Sequence, residues 1–275
     1  MKVKKRIWEI DFLRGFALFM MMIDHFLYNF HVYPNTFEWS LKAGDVYSEF
    51  SYFATFYWFR IKKFDILGIP IHFYFVILFI LISGISTTFS RSSLKRSLQV
   101  LLGAYLVSIF TNLFSGTFGY RFEIPFGILH TIGFSMLIYS LIDLKFKNKY
   151  VSLILGILII AYYYAIPSFG LPKIEVKTNS MLTKEFIYSL IGWARLPSAD
   201  FFGMVPWFGY FLIGTFLGKT LYKRRESLVP NLDGKYASMF KFLGRHSIWV
   251  YLTHQIILFA LFVIISYLFG YKLPI

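Results

Sequence analysis

Apolar positions in this chain come in long blocks, separated by short polar or aromatic stretches. Seven such runs, at roughly 12–31, 69–90, 97–115, 124–143, 150–167, 200–219 and 245–268, approach the length a helix needs to cross a hydrocarbon core. Pro70, Pro125 and Pro206 fall in the expected first turns, where a missing amide is tolerated, and Pro167 closes the fifth run. The pattern predicts an all-α, polytopic integral membrane bundle of about seven transmembrane helices, forming one domain over 1–275. Two long segments, 32–68 and 168–199, separate the runs. Within the first, the aromatic stretch 50–64 reads as a helix lying at headgroup level, although a spanning role would invert every later helix. Within the second, Thr183 to Trp193 predicts a short helix over the outer mouth.

Charge sets the orientation. With the N-terminus in the cytosol, the inner segments collect Lys2, Lys4, Lys5, Arg6, the 91–96 and 145–149 clusters and the basic stretch from Lys219 to Arg245. The outer segments carry fewer basic residues, as the positive-inside bias requires. The exception is the basic end of 50–64, with Arg60, Lys62 and Lys63 on the outer side. The leader resembles a signal peptide in its basic start, but its apolar run carries Asp24 and His25 and lacks a small-residue cleavage site. It is expected to remain as the first span.

Composition agrees. The chain is 57% hydrophobic and only 15% charged, with a mean hydropathy of +0.60, against about 25% charged residues in soluble domains. There are no cysteines, which excludes disulfides, thiolate metal sites and a cysteine nucleophile. No metal-ligand spacing is present. A net charge of +14 would suggest nucleic acid in a soluble protein; here basic loops at an anionic membrane face account for it, and nucleic acid is not expected as a partner.

Ionisable groups inside a span cost about 2.5–3.5 kcal/mol each at its centre, so they are usually retained for a purpose. His25 is the sharpest candidate, as a general base or as a histidine bonded between packed helices. Asp24 beside it points about 100° away on a regular helix. Asp11 and Arg14 pair at i,i+3, either as an interfacial anchor or with Arg14 turned to an anionic ligand group. Arg14 and His25 are eleven residues apart, on about the same helix face and separated by roughly 16 Å. His130 lies at about the same depth as His25, as a packing group or a site residue. Asp200 heads the sixth run, where an N-cap role competes with acceptor binding. Trp207 is either a belt aromatic or a binding residue, and His254 in the last run either packs or contacts a ligand. His31, His72 and His246 fall at span ends and read as interfacial.

The stretch EIDFLRGFALFMMMIDHFL resembles the opening helix of the transmembrane acyltransferase superfamily. Arg14 and His25, with ten residues between them, match the arginine–x10–histidine pattern of its acyltransferase-3 branch. FVILFILISGIS at 75–86, IPFGILHTIG at 124–133, DFFGMVPWFGYFLIGTFLG at 200–218 and LGRHSIWVYLTHQ at 243–255 resemble, in order, the catalytic domain of heparan-α-glucosaminide N-acetyltransferase and its small bacterial relatives. The resemblance implies transfer of an acyl group, usually acetyl, from cytosolic acyl-coenzyme A to a sugar amine or hydroxyl across the membrane. In the lysosomal member the histidine credited with catalysis follows the first helix, and an asparagine stands at the position of His25. Here that following segment, HVYPNTFEWS, offers only His31, so His25 is assigned on the acyltransferase-3 pattern.

The expected catalytic residues are therefore His25 and Asp24. Arg14, Asp11, His130, Asp200, Trp207 and His254 are the expected substrate or coenzyme contacts. Acetyl-CoA or another acyl-CoA is the co-substrate, without metal. The expected partners are the bilayer, acyl-CoA and a glycan or small-molecule acceptor, with a homodimer left open, in a bacterial or archaeal plasma membrane. A proton-coupled transporter using Asp24, His25 and His130 is the alternative, although no internal repeat supports it. A non-catalytic scaffold is the third reading.

Overall fold

A computed structural model describes residues 6–42, 44–66, 69–118, 123–166, 174–175, 184–196, 198 and 200–272. Ten α-helices dominate the described residues. They are α1 (Trp8–Thr36), α2 (Val46–Phe56), α3 (Ile71–Thr87), α4 (Ser93–Phe118), α5 (Ile128–Lys145), α6 (Lys149–Ala165), α7 (Lys184–Leu190), α8 (Trp207–Thr220), α9 (Ser238–Arg245) and α10 (Ser247–Leu268). Two small strand pairs were not foreshadowed by the sequence pattern: β1 (Asp65–Ile66) with β2 (Ile69–Pro70), antiparallel, and β3 (Ile174–Glu175) with β4 (Ala194–Arg195), parallel.

Three described helices are long and apolar enough to cross a membrane: Ser93–Ser115, Ile128–Lys145 and Ser247–Leu268. Ile71–Thr87 and Lys149–Ala165 are apolar but shorter. Leu98, Leu102, Leu106, Ile109 and Leu113 along α4 are more than half exposed, as are Ile256, Ile257 and Ile264 on α10. Exposed apolar faces of this extent suit a lipid surround.

The chain gathers into two compact units. One combines Ile7–Phe79 with Val229–Ile275; the other is Ile80–Leu228 with the first six residues. The boundary falls inside α3.

In the unit formed by the two chain ends, α1 packs on α2, α9 and α10. The α1–α9 crossing is set by glycine. A Cβ on Gly15 would lie 1.8 Å from the Phe240 carbonyl oxygen, and one on Gly244 would lie 1.8 Å from that of Asp11. Phe12, Phe16 and Phe19 meet the Phe240 ring at centroid distances of 5.2–5.7 Å and in edge-on geometry. Where 50–64 reads as one interfacial helix, the structure shows α2 continuing into a π-helical turn, Tyr57–Ile61. Asp45 caps α2 by accepting from the Tyr47 amide.

In the central unit, α8 packs on α3, α5 and α6. Gly84 and Gly214 let α3 and α8 approach, since a Cβ on Gly84 would fall 2.2 Å from the Phe211 carbonyl oxygen. Asn148 caps α6 through the Tyr150 amide. The prolines sit slightly outside the predicted turns: Pro70 ends β2, Pro125 precedes the Gly127 cap of α5, and Pro206 is itself the N-cap of α8. Pro167 lies outside the described residues. The short helix expected over Thr183–Trp193 is α7.

Candidate functional site

Within the first unit, α1 and α10 bring two imidazoles together. The His25 and His254 ring centroids are 5.1 Å apart with planes at 78°. His25 Nδ1 lies 2.8 Å from the Met21 carbonyl oxygen, one turn back on α1. His254 Nδ1 lies 2.6 Å from the Tyr251 carbonyl oxygen on α10. A carbonyl can only accept, so both rings carry their proton on Nδ1. Each Nε2 is then left as the basic nitrogen with an in-plane lone pair. His254 is only 7% exposed, and its Nε2 has no hydrogen-bond partner among the described residues.

One turn further along α1, Asn29 is fully buried and accepts from Gln255 Nε2 at 3.3 Å. Asn29 Nδ2 and Gln255 Oε1 retain unused hydrogen-bonding capacity. Each such buried group costs about 1–3 kcal/mol when left unpaired, so the cluster is not explained by packing alone. It combines two basic nitrogens, an amide donor and an amide acceptor on facing helices. That combination can accept a proton and orient a hydroxyl or amine. Asn29 and Gln255 were missed in the sequence because neither is charged. The signal available was the i,i+4 spacing of His25 and Asn29 in an apolar helix.

Asp24 does not belong to this pair. Its carboxylate accepts from Lys62 Nζ at 2.8 Å and from the Tyr57 hydroxyl at 3.4 Å. These contacts tie α1 to the π-helical turn, and the carboxylate is directed away from His25. Lys62 also stacks over Trp58, 3.4 Å from the ring centroid. Burial, followed by the neighbouring Asp24 charge, pushes the Tyr57 hydroxyl up to about 12. The basic end of this segment is thus partly neutralised where the positive-inside bias predicted few cations.

Arg14 and Asp11 are drawn into the α1–α9 seam. Arg14 Nη1 donates to the Gly244 carbonyl at 3.1 Å and to Asp11 at 3.4 Å. Arg245 lies 3.5 Å from the other Asp11 oxygen. A guanidinium over the last turn of α9 complements its dipole. Of the two expected roles, structural anchoring is the one this geometry displays.

His130, Asp200 and Trp207 lie in the central unit. His130 Nδ1 accepts from the Gly127 amide at 3.2 Å, capping α5, so its proton sits on Nε2, facing Ser108 Oγ at 3.4 Å. The Ser108 hydroxyl itself donates to the Ile124 carbonyl at 2.6 Å. One nitrogen of His130 serves the cap and the other faces α4, and the ring carries the opposite tautomer to His25.

Asp200 is not the N-cap of the sixth helix, because α8 begins only at Trp207. Residues 198 and 200–202 run instead beside the start of α5. Ser198 donates to the Glu123 carbonyl, the Phe202 amide donates to Phe126, and Thr131 donates to the Phe202 carbonyl. The Asp200 carboxylate faces Gly127, where a Cβ would come within 3.0 Å of it. An acidic group there suits the positive end of α5. Trp207 packs between Phe202 and Tyr210. His31 Nδ1 meets Thr55 Oγ1, His72 donates to the Lys62 carbonyl, and His246, at the start of α10, directs Nδ1 to the Phe242 carbonyl.

No group of three or more potential metal ligands occurs among the described residues. Two surface cavities are lined by other residues than these imidazoles: one by Ser238, Lys241 and Arg245 in the first unit, the other by a cluster of cations in the central unit.

No curated protein and no solved structure matches this chain. One family model does, that of heparan-alpha-glucosaminide N-acetyltransferase, catalytic, over residues 6–62 and 50–256. The match takes in α1 with His25, α10 through His254 and Gln255, and the central unit from Ile80 to Leu228. Since it covers most of its length, the chain belongs to the heparan-alpha-glucosaminide N-acetyltransferase catalytic-domain family, a family of membrane acetyltransferases.

Proposed function

We propose that the protein transfers an acyl group, acetyl in the first instance, from cytosolic acyl-CoA to an amine or hydroxyl of a sugar on the opposite side of the membrane. The observation that carries this reading is the His25–His254 pair with both Nδ1 atoms pinned, which leaves Nε2 of His25 as a base of fixed direction. In a direct transfer, His25 Nε2 takes the acceptor proton as the acceptor attacks the thioester carbonyl. The carbon–sulfur bond then breaks, and the departing thiolate recovers that proton from the imidazolium. In a two-step transfer the same nitrogen attacks the thioester carbonyl, the carbon–sulfur bond breaks to release the thiolate, and the acceptor then displaces the imidazole from the acyl carbon, its proton passing to the thiolate. His254 stands close enough to share the charge that His25 acquires. Asn29 and Gln255 supply a donor and an acceptor for the incoming hydroxyl or amine.

Membership of the family supports the reaction class. Within the central unit, one cavity is lined by the residues that follow α3, those joining α5 to α6 and those that follow α8. The seven-span arrangement with a cytosolic N-terminus puts those three segments on one side, so the lining supports it. The transporter reading draws less support from these contacts: Asp24 is held by Lys62, and His130 uses Nδ1 in the α5 cap while its Nε2 faces Ser108.

The test is acetyl transfer from labelled acetyl-CoA to glucosamine by the purified protein and by His25→Ala. Loss of transfer with an unchanged melting temperature is expected. Full activity in the variant would remove His25 from the chemistry.

A further inference from the structure

The central unit holds a concavity of about 350 Å³ into which Lys147, Lys149, Lys219, Lys223 and Arg225 converge. These cations come from two separate stretches, the α5–α6 connection and the end of α8, and the lining contains no carboxylate. Lys219 is countered by Asp143 outside the lining. Lys149 rests over the Tyr150 and Phe216 rings. Lys147, Lys223 and Arg225 have no carboxylate partner among the described residues. The positive-inside bias explains basic loops, but it would be met by cations spread apart in water. Drawing five into one hollow raises their mutual repulsion, and the protein walls concentrate the field.

Two further features belong to the same hollow. Phe89 and the buried Tyr222 meet edge to face at 6.1 Å in its wall. Arg225 occupies a left-handed backbone position, φ 58°, with its amide donating to the Tyr222 carbonyl. Glycine is the usual occupant of that conformation. Here an arginine takes it, and a guanidinium matches phosphate oxygens two at a time.

We infer that this cavity binds a phosphate monoester or diphosphate group, with the aromatic pair beside it available to a ring or chain attached to that group. The chemistry has two sources: the nucleoside phosphate end of a thioester donor, in which case the inference rests on the donor reading above, or the headgroup of an anionic lipid.

The two sources separate by experiment. The protein is placed in nanodiscs of phosphatidylcholine, and binding of adenosine 3′,5′-bisphosphate is measured by calorimetry. In parallel, its melting temperature is compared between phosphatidylcholine discs and discs containing phosphatidylglycerol. A nucleotide source predicts bisphosphate binding in neutral discs. A lipid source predicts stabilisation by phosphatidylglycerol alone. In either case Lys147→Gln/Lys223→Gln/Arg225→Gln should weaken the response by about tenfold or more. The charge-conserving Lys147→Arg/Lys223→Arg/Arg225→Lys should keep most of it. Should the glutamine variant not fold, Arg225→Gln alone is read, with a severalfold loss expected. No response to either probe, or an equal response in the glutamine variants, overturns the inference. Acyl transfer is assayed separately on the same preparations. A silent cavity therefore leaves the His25 chemistry standing, and an inactive enzyme leaves the binding result readable.

Discussion

His25 and His254 sit edge to face on facing helices, and each ties its Nδ1 to a carbonyl of its own helix. The arrangement fixes the tautomer of both rings without an acidic partner. A backbone carbonyl holds each ring in place without adding a charge of its own beside it.

That relationship predicts unequal effects of substitution. His25→Gln should lower acyl transfer by about 10²–10⁴-fold, the usual contribution of a positioned base. His254→Gln should lower it by less, since its ring acts beside the reacting group. Single-turnover rates with labelled acetyl-CoA would show the ranking. Equal activity in His254→Gln and wild type would confine His254 to packing.

His130 offers the converse case. His130→Phe should cost about 1 kcal/mol of stability through the lost α5 cap, while kcat and KM stay close to wild type. A thermal melt beside a full kinetic analysis checks both halves. A rise in KM alone would return His130 to the binding site.

The Asp24–Lys62 pair is mostly buried, with side-chain exposures of 18% and 12%. Lys62→Met should strand the carboxylate and destabilise the fold by about 3 kcal/mol. Adding Asp24→Asn should recover much of the loss. Melting temperatures of the two singles and the double form the cycle. A double variant worse than Lys62→Met would exclude the pairing.

Tyr47 and Tyr57 are both pushed up to about 12, chiefly by burial. Their ordinary value is about 10. The folded state therefore holds protons that the unfolded chain has already released, and stability should fall as pH rises from about 10 towards 12. Tyr57→Phe should flatten part of that decline in a pH series of thermal melts; an unaltered slope would show that Tyr57 does not contribute.

Much of this was legible in the sequence. The apolar runs locate α3 to α6, α8 and α10, because lipid imposes a length that composition reveals. His25 stood out because an ionisable group in such a run is rare. What the sequence did not show has a common origin in distance along the chain. Asp24 was expected beside His25 in the chemistry, and the cation that holds its carboxylate, Lys62, lies 38 positions away where no spacing rule reaches. Asp200 looked like a cap, but the chain runs beside α5 for several residues before α8 starts. Asn29 and Gln255 carried no charge to mark them, and only the meeting of α1 with α10 reveals that their amides face each other.

The bare Gly15–Gly244 crossing has one more effect. With carbonyl oxygens pressed against Cα atoms, there is no side chain whose rotation could ease a misfit. Slipping α1 by one residue would push Arg14 or Phe16 into room that admits no methyl group. Slipping α9 would do the same with Leu243 or Arg245. The seam thus works as a positional stop, setting the helix by exclusion instead of adhesion. His25, ten residues further on, owes its alignment to that stop. Gly15→Ala should therefore cost about 3 kcal/mol or more and scatter the imidazole geometry along with the fold, a coupled loss readable in the melting temperature and in acyl transfer by whatever fraction still folds.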